Sequence, residues 1–393
     1  MSFETIKNRE NEYVMHTYGR VELSLEKGEG CIVTDSEGKE YIDLTSGIGV
    51  NCLGHNHPVL VKAISDQAAK MIHCSNIYYS EPMTEVAEKL VKASGLNKVF
   101  FANSGAEANE GMIKVARKYS SDKYGKNRYK ILTLVQSFHG RTMVTLKATG
   151  QARFHQYFYP FPEGFDYIQA NDFEDFISHV DDEVCAVMME MVQGEGGVLP
   201  LDKEFVKKVT EYCQSKDILV LVDEVQTGIG RTGTMFSYEQ YDILPDIISL
   251  AKGLGGGLPI GAVVAGEKCK DVLVPGTHGS TFGGNLLSSA AANAVLSVVN
   301  NKDFLAEVQD KGNTFMQKIR DLNSKNIKGV RGMGLMIGVI VDPGQRAAYV
   351  EELKDKGILV LTAGSDAIRL LPPLVLTYEQ IDQVVEIMKG VFE

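Results

Sequence analysis

Two side chains at the ends of apolar runs carry the most chemical information in this chain. Asp223 closes Ile218-Leu-Val-Leu-Val-Asp223, and Lys252 follows Leu244-Pro-Asp-Ile-Ile-Ser-Leu-Ala251 and precedes Gly253-Leu-Gly-Gly-Gly257. Most lysines are solvated surface charges. A lysine at the end of a buried strand, next to glycines that let a ligand approach the backbone, is placed for a different task. Its amine can form a Schiff base with an aldehyde, and an Asp at the end of the preceding run can pair with a protonated ring nitrogen. Together they supply the protein groups that pyridoxal phosphate chemistry needs.

These residues need a scaffold that ends several strands at one place. From about residue 57 to residue 270, strand-like apolar runs alternate with amphipathic helix patterns, which predicts an α/β fold with a mostly parallel sheet flanked by helices. Lys98-Val-Phe-Phe-Ala runs into Asn103-Ser-Gly-Ala and then a helix through Arg117-Lys-Tyr. Lys130 to Val135 ends at Ser137-Phe-His, and Val184 to Glu190 ends at a glycine-rich turn containing Glu195. A helix from Lys203 to about Ser215 leads into the run that ends at Asp223. Each run ends in polar or glycine chemistry at its carboxyl end, where open α/β sheets bind ligands. From Leu286 a helical stretch of small and apolar residues leads to a second helix near Phe304 to Lys325, followed by shorter units. The expected division is a large unit over 51–285 and a smaller α+β unit over 286–393, with residues 1–50 joining the smaller one.

Ser104-Gly105-Ala106-Glu107 lies between a strand and a helix, so its amides point at any anion held there. An ordinary helix cap, with Ser104 capping and Glu107 closing a capping box, explains the same residues and is compatible with a phosphate cradle. There is no Gly-x-x-x-x-Gly-Lys-[Ser/Thr] segment to suggest a nucleoside triphosphatase. Gly332-Met-Gly334-Leu-Met-Ile-Gly338 has its third glycine out of register for a dinucleotide loop and reads as a tight turn. Phe138 at a strand end serves equally as a ring-stacking or a core side chain. Cys52-Leu-Gly-His55-Asn-His57 brings sulfur and nitrogen together but offers no fourth ligand, and Pro58 suggests a helix start, so no metal is expected.

A chain of 393 residues buries roughly three quarters of its unfolded surface, enough for a deep site. The net charge of −11 and pI near 5.3, without a basic cluster, argue against a nucleic-acid partner. Six scattered cysteines without a Cys-x-x-Cys pair suit a reduced, cytoplasmic setting. The first twenty residues lack a signal-peptide core, and no apolar run reaches membrane-spanning length, so neither export nor membrane association is expected.

The chain resembles the class III aminotransferases of the fold-type I pyridoxal phosphate family over nearly its whole length. The resemblance rests on Asn103-Ser-Gly-Ala-Glu-Ala-Asn109, Phe138-His-Gly-Arg-Thr142, Gln193-Gly-Glu-Gly-Gly197, Asp223-Glu-Val-Gln-Thr-Gly228, Lys252, His278-Gly-Ser-Thr-Phe-Gly-Gly284 and Arg369-Leu-Leu-Pro-Pro373. Ser75-Asn76-Ile77-Tyr78-Tyr79 and the Phe138 segment are similar to the branch acting on N-acetylornithine.

The resemblance implies a homodimeric enzyme of arginine biosynthesis that moves an amino group from N-acetylornithine to 2-oxoglutarate with pyridoxal phosphate. It implies catalytic roles for Lys252 and Asp223, cofactor contacts from Ser104, Gly105, Ala106, Phe138 and Gln226, the last to the ring oxygen, and contacts from Ser280 and Thr281 to the phosphate of the neighbouring subunit. It further implies that Arg369 binds the substrate carboxylate next to the reacting carbon, Arg141 the far carboxylate, and Asn76 another part of the substrate. Glu195 would neutralise Arg369 when the donor lacks the near carboxylate; by residue type alone it reads rather as a solvated acid in a glycine-rich loop. Met191 stands where the family usually has Pro, so a local backbone adjustment is expected. Ornithine and 4-aminobutyrate transferases, and a non-catalytic protein that kept the fold, are the alternatives; a donor screen and cofactor absorbance separate them.

Overall fold

The computed structural model describes residues 1–393. Seven strands form the central sheet, in the spatial order Lys98–Ala102, Gly261–Ala265, Ile247–Leu250, Leu219–Asp223, Val184–Met189, Lys130–Leu134 and Phe165–Ile168. Only Gly261–Ala265 runs against the rest, pairing antiparallel on both sides. The inner strands Val184–Met189 and Leu219–Asp223 are buried at every position, as continuous apolar runs covered on both faces must be. Helices between them turn one apolar stripe inward: in Lys203–Ser215, Phe205, Val206, Val209 and Cys213 are buried and Asp202 caps the start through Glu204 N at 2.9 Å, a spacing of three and four.

Elements from the two ends of the chain build a second core. Strands Leu25–Glu29, Ile32–Asp35 and Glu40–Asp43 form a sheet completed by Ile358–Leu359, with Ile42 paired to Ile358. A second sheet joins Gly329–Met333, Met336–Ile340, Ala367–Leu370 and Leu361–Ala363. Ile42 and Leu44 share their core with Phe315, Ile337, Leu370 and Phe392. The helix Leu286–Val299, expected to open the smaller unit, instead packs Ala291, Val295 and Val299 into the core of the seven-stranded sheet, which moves the division between cores past residue 286. Its neighbour Lys302–Asp321 stops four residues short of Lys325. Gly332 to Gly338 lies in a hairpin, Gly329–Met333 against Met336–Ile340. No helix is long and apolar enough to cross a membrane.

Candidate active site at the strand ends

The carboxyl ends of five parallel strands open into a cavity of about 380 Å³ lined by Ser104, Gly105, Ala106, Phe138, Arg141, Glu190, Glu195, Asp223, Gln226 and Lys252. Residues spread over 149 positions of sequence therefore meet because their strands end on one edge of the sheet.

Asp223 is 3% exposed. Its Oδ2 accepts from Asn109 Nδ2 at 2.7 Å and pairs with His139 Nδ1 at 2.8 Å, while Oδ1 accepts from the Val225 amide at 2.9 Å. A carboxylate has about four acceptor positions, so one is left to face the cavity. Burial works against a charged His139, but its bond to Asp223 and the charges of Asp223 and Glu190 outweigh that and raise its pKa. Neither Asn109 nor His139 was expected to serve Asp223.

Lys252 sits at φ +40°, in the left-handed region that side chains rarely occupy. Such strain persists where surrounding structure overrides it, often at functional sites. Burial lowers the Lys252 pKa from its ordinary value, Arg369 adds to this, and Glu195, Asp223 and Glu190 oppose it.

Ser104 caps the helix Gly105–Tyr124, its Oγ accepting from Glu107 N at 3.2 Å. The Glu107 carboxylate reaches back to Asn103 N at 2.6 Å, one residue earlier than a standard capping box. The first amides of this helix are left facing the cavity. Phe138 meets Phe154 edge-on at 5.9 Å. Arg141 is exposed and lies over the Phe138 and Phe154 rings, at 5.3 and 4.3 Å.

Glu195 Oε1 lies 2.7 Å from Arg369 Nη1. Burial pushes the Glu195 carboxyl up, but the charge and hydrogen bond of Arg369 overcome this and hold it below the ordinary carboxylate range. Gln226, expected on the cofactor ring, lines the cavity and also bonds here: Oε1 accepts from Arg369 Nη1 at 3.1 Å and Nε2 reaches Glu195 Oε1 at 3.5 Å. Two other acids are structural in their bonding. Glu224 accepts from Thr227, Ser237 and the Tyr238 amide, and burial pushes it up to about 7. Glu190 holds the Phe138 amide at 2.9 Å; burial raises it to about 7.

Asn76, Ser280 and Thr281 do not line this cavity. Asn76 Nδ2 donates to the carbonyls of Ser280 and Gly283, at 3.0 and 2.8 Å, and Thr281 is exposed. His55 pairs with Asp43 at 2.9 Å, Cys52 Sγ donates to the Gly253 carbonyl at 3.2 Å, and His57 precedes the helix Pro58–Lys70. Met191 is buried, and its carbonyl accepts from Tyr241 Oη and the Leu201 amide.

The family model for aminotransferase class III matches residues 13–392. The chain belongs to the class III aminotransferases. It is 51% identical to the acetylornithine aminotransferase of Caldanaerobacter subterraneus subsp. tengcongensis, over 97% of this chain and 98% of that one. It superimposes on the acetylornithine aminotransferase from Elizabethkingia anophelis with a TM-score of 0.89 at 34% identity, covering 100% of this chain and 99% of the other. The ornithine aminotransferase from Toxoplasma gondii, a structure with partial occupancy of pyridoxal phosphate at its active site, gives a TM-score of 0.95 at 31% identity, covering 100% of this chain and 94% of that one. The fold is thus common to enzymes of different amino donors.

Class III aminotransferases depend on pyridoxal phosphate, and the residues of this class III aminotransferase fit it. Gly105 leaves room that a Cβ would fill, since one built there would stand 2.6 Å from Val225 Cγ1. The amides of the helix start suit a phosphate, Asp223 suits a protonated ring nitrogen, and Lys252 is the amine that the aldehyde requires.

Proposed function

We propose that this aminotransferase moves the terminal amino group of N-acetylornithine to 2-oxoglutarate, giving N-acetylglutamate semialdehyde and glutamate, as a step of arginine biosynthesis. The observation that carries the reading is the ion pair between Glu195 and Arg369 at 2.7 Å, beside the cavity that holds Lys252. The 51% identical acetylornithine aminotransferase supports the donor.

2-Oxoglutarate has one carboxylate next to its reacting carbon and another at the far end; N-acetylornithine, reacting at its terminal amine, has only the far one. Arg141, free of acidic partners, binds the far carboxylate of both. Arg369 binds the near carboxylate, a task suited to its planar fork. With the donor bound, Arg369 would be a buried charge without a partner, which is costly; Glu195 covers it.

When bound, pyridoxal phosphate supplies an aldehyde carbon that takes up amines and a ring that accepts electrons. Asp223 holds a proton at the ring nitrogen, and Asn109 and His139 keep its carboxylate aimed. Lys252 Nζ takes a proton from the reacting carbon of the donor; its lowered pKa makes the neutral amine more available for this. The Gly105 and Ala106 amides would hold the phosphate, and Phe138 would pack on the ring.

A homodimer belongs to this reading. Ser280 and Thr281 lie on a loop outside their own cavity, where they can serve the phosphate of a second copy. Ile72, Ile77, Tyr78, Tyr79 and Phe282 are exposed apolar side chains that a second copy would cover. Six unpaired cysteines suit the reducing cytoplasm. The test is a donor screen with 2-oxoglutarate on purified, cofactor-loaded protein. N-acetylornithine should give the highest kcat/KM; a preference for ornithine or 4-aminobutyrate overturns the donor assignment.

A further inference from the structure

We infer that Gln226 and Gly194 are specificity-determining positions: Gln226 keeps Arg369 aimed at the cavity when Glu195 withdraws, and Gly194 provides the space in which the Gln226 carboxamide does this. The inference rests on the proposed exchange between substrates with and without a near carboxylate.

Arg369 Nη1 has two acceptors, Glu195 Oε1 at 2.7 Å and Gln226 Oε1 at 3.1 Å, while its Nε is buried without a partner. A substrate with a near carboxylate must displace Glu195, which leaves Gln226 as the protein acceptor of that guanidinium. Gln226 also reaches Glu195, but at 3.5 Å, the long end of hydrogen bonding. Both bonds involve a charged group, and the shorter one, from Arg369, is the stronger of the two. Losing Gln226 therefore costs more in the aim of Arg369 than it gains by freeing Glu195. Because Gln226 is buried and Arg369 is 2% exposed, water cannot readily replace the lost acceptor.

Gly194 controls this contact sterically. A Cβ built on it would stand 2.1 Å from Gln226 Oε1 and 2.8 Å from Cδ, with Met336 Cε next at 2.9 Å. Its backbone is not in the left-handed region, so alanine is compatible with the chain path, and the flexible end of Gln226 is what must move. Gly194→Ala should push the carboxamide off Arg369 without touching either charged partner.

The test is a double-mutant cycle of Gly194→Ala and Gln226→Ala, read by calorimetric binding of glutarate, an unreactive dicarboxylate, and by single-turnover rates with glutamate and with N-acetylornithine. Each single variant should weaken glutarate and slow the glutamate half-reaction about tenfold, with at most a twofold change for N-acetylornithine in Gly194→Ala. The double variant should be no worse than either single one, since both act through one contact. Wild-type glutarate affinity in Gly194→Ala, additive losses in the double variant, or equal slowing of both half-reactions would each overturn the inference. Failure of the wild type to transaminate N-acetylornithine would instead overturn the donor assignment, while glutarate binding would still report on Gln226.

Discussion

Glu195 Oε1 and Arg369 Nη1 stand 2.7 Å apart although 174 positions separate them in sequence, and the contact joins a loop leaving the parallel sheet to the strand Ala367–Leu370 of the smaller core. It is a pair between an arginine whose side chain is 3% exposed and a glutamate whose side chain is 28% exposed. The carboxylate, having more room, is the member able to leave. Glu195→Ala should leave Arg369 open to any near carboxylate. Ordinary α-amino acids should then gain as donors relative to N-acetylornithine, by about tenfold or more; a ratio of kcat/KM values equal to that of wild type would contradict the role of Glu195 as a cover.

Lys252→Ala should remove the long-wavelength absorbance of the loaded protein together with transamination, because the buried amine is what attaches the aldehyde. A spectrum and rate like those of wild type would remove Lys252 from the mechanism.

Thr281→Ala should release cofactor more readily, with an increase of several-fold in its dissociation constant, since the proposed function gives Thr281 a charge-assisted bond to the phosphate of a second copy. The check is cofactor retention through gel filtration alongside the molecular mass. A fully active monomer at high dilution would rule out a site shared between copies.

Burial holds Glu224 at about 7, against an ordinary 4.5, despite bonds from Ser237, Thr227 and Tyr238 that favour its charged form. The folded chain thus keeps a proton that the unfolded chain gives up. The associated stability is complete below about 4.5 and is lost as pH rises through about 7. Relative to wild type, Glu224→Gln should gain up to roughly 3 kcal/mol between pH 5 and pH 8. Denaturant midpoints at the two pH values measure this, and a difference that does not change with pH would refute it.

The meeting of Asp223 and Lys252 in one cavity was legible because unusual residue types stood where buried runs ended: Asp223 closes a strand buried at all its positions, and the strand Lys98–Ala102 matches its apolar run residue for residue. What sequence does not encode locally stayed hidden. Asn109 and His139 lie 114 and 84 positions from Asp223, and only the fold brings the start of the helix Gly105–Tyr124 and the loop after Lys130–Leu134 to it. The helix Leu286–Val299 is apolar on most faces, so its composition could not tell which core it would enter. Gln226 was read as a cofactor contact and lines the cavity; its bond to Arg369 was not foreseen, because it depends on the space left by Gly194.

Single-turnover rates of the two half-reactions in Arg369→Ala give the most direct measurement of the substrate switch. The glutamate half-reaction should fall about thirty- to a thousand-fold, as expected for losing roughly 2 to 4 kcal/mol of charge-assisted pairing in a closed site, while the N-acetylornithine half-reaction changes little. Arg141→Ala, measured alongside, should damage both. Equal losses of the two half-reactions in Arg369→Ala would contradict the assignment of Arg369 to the near carboxylate.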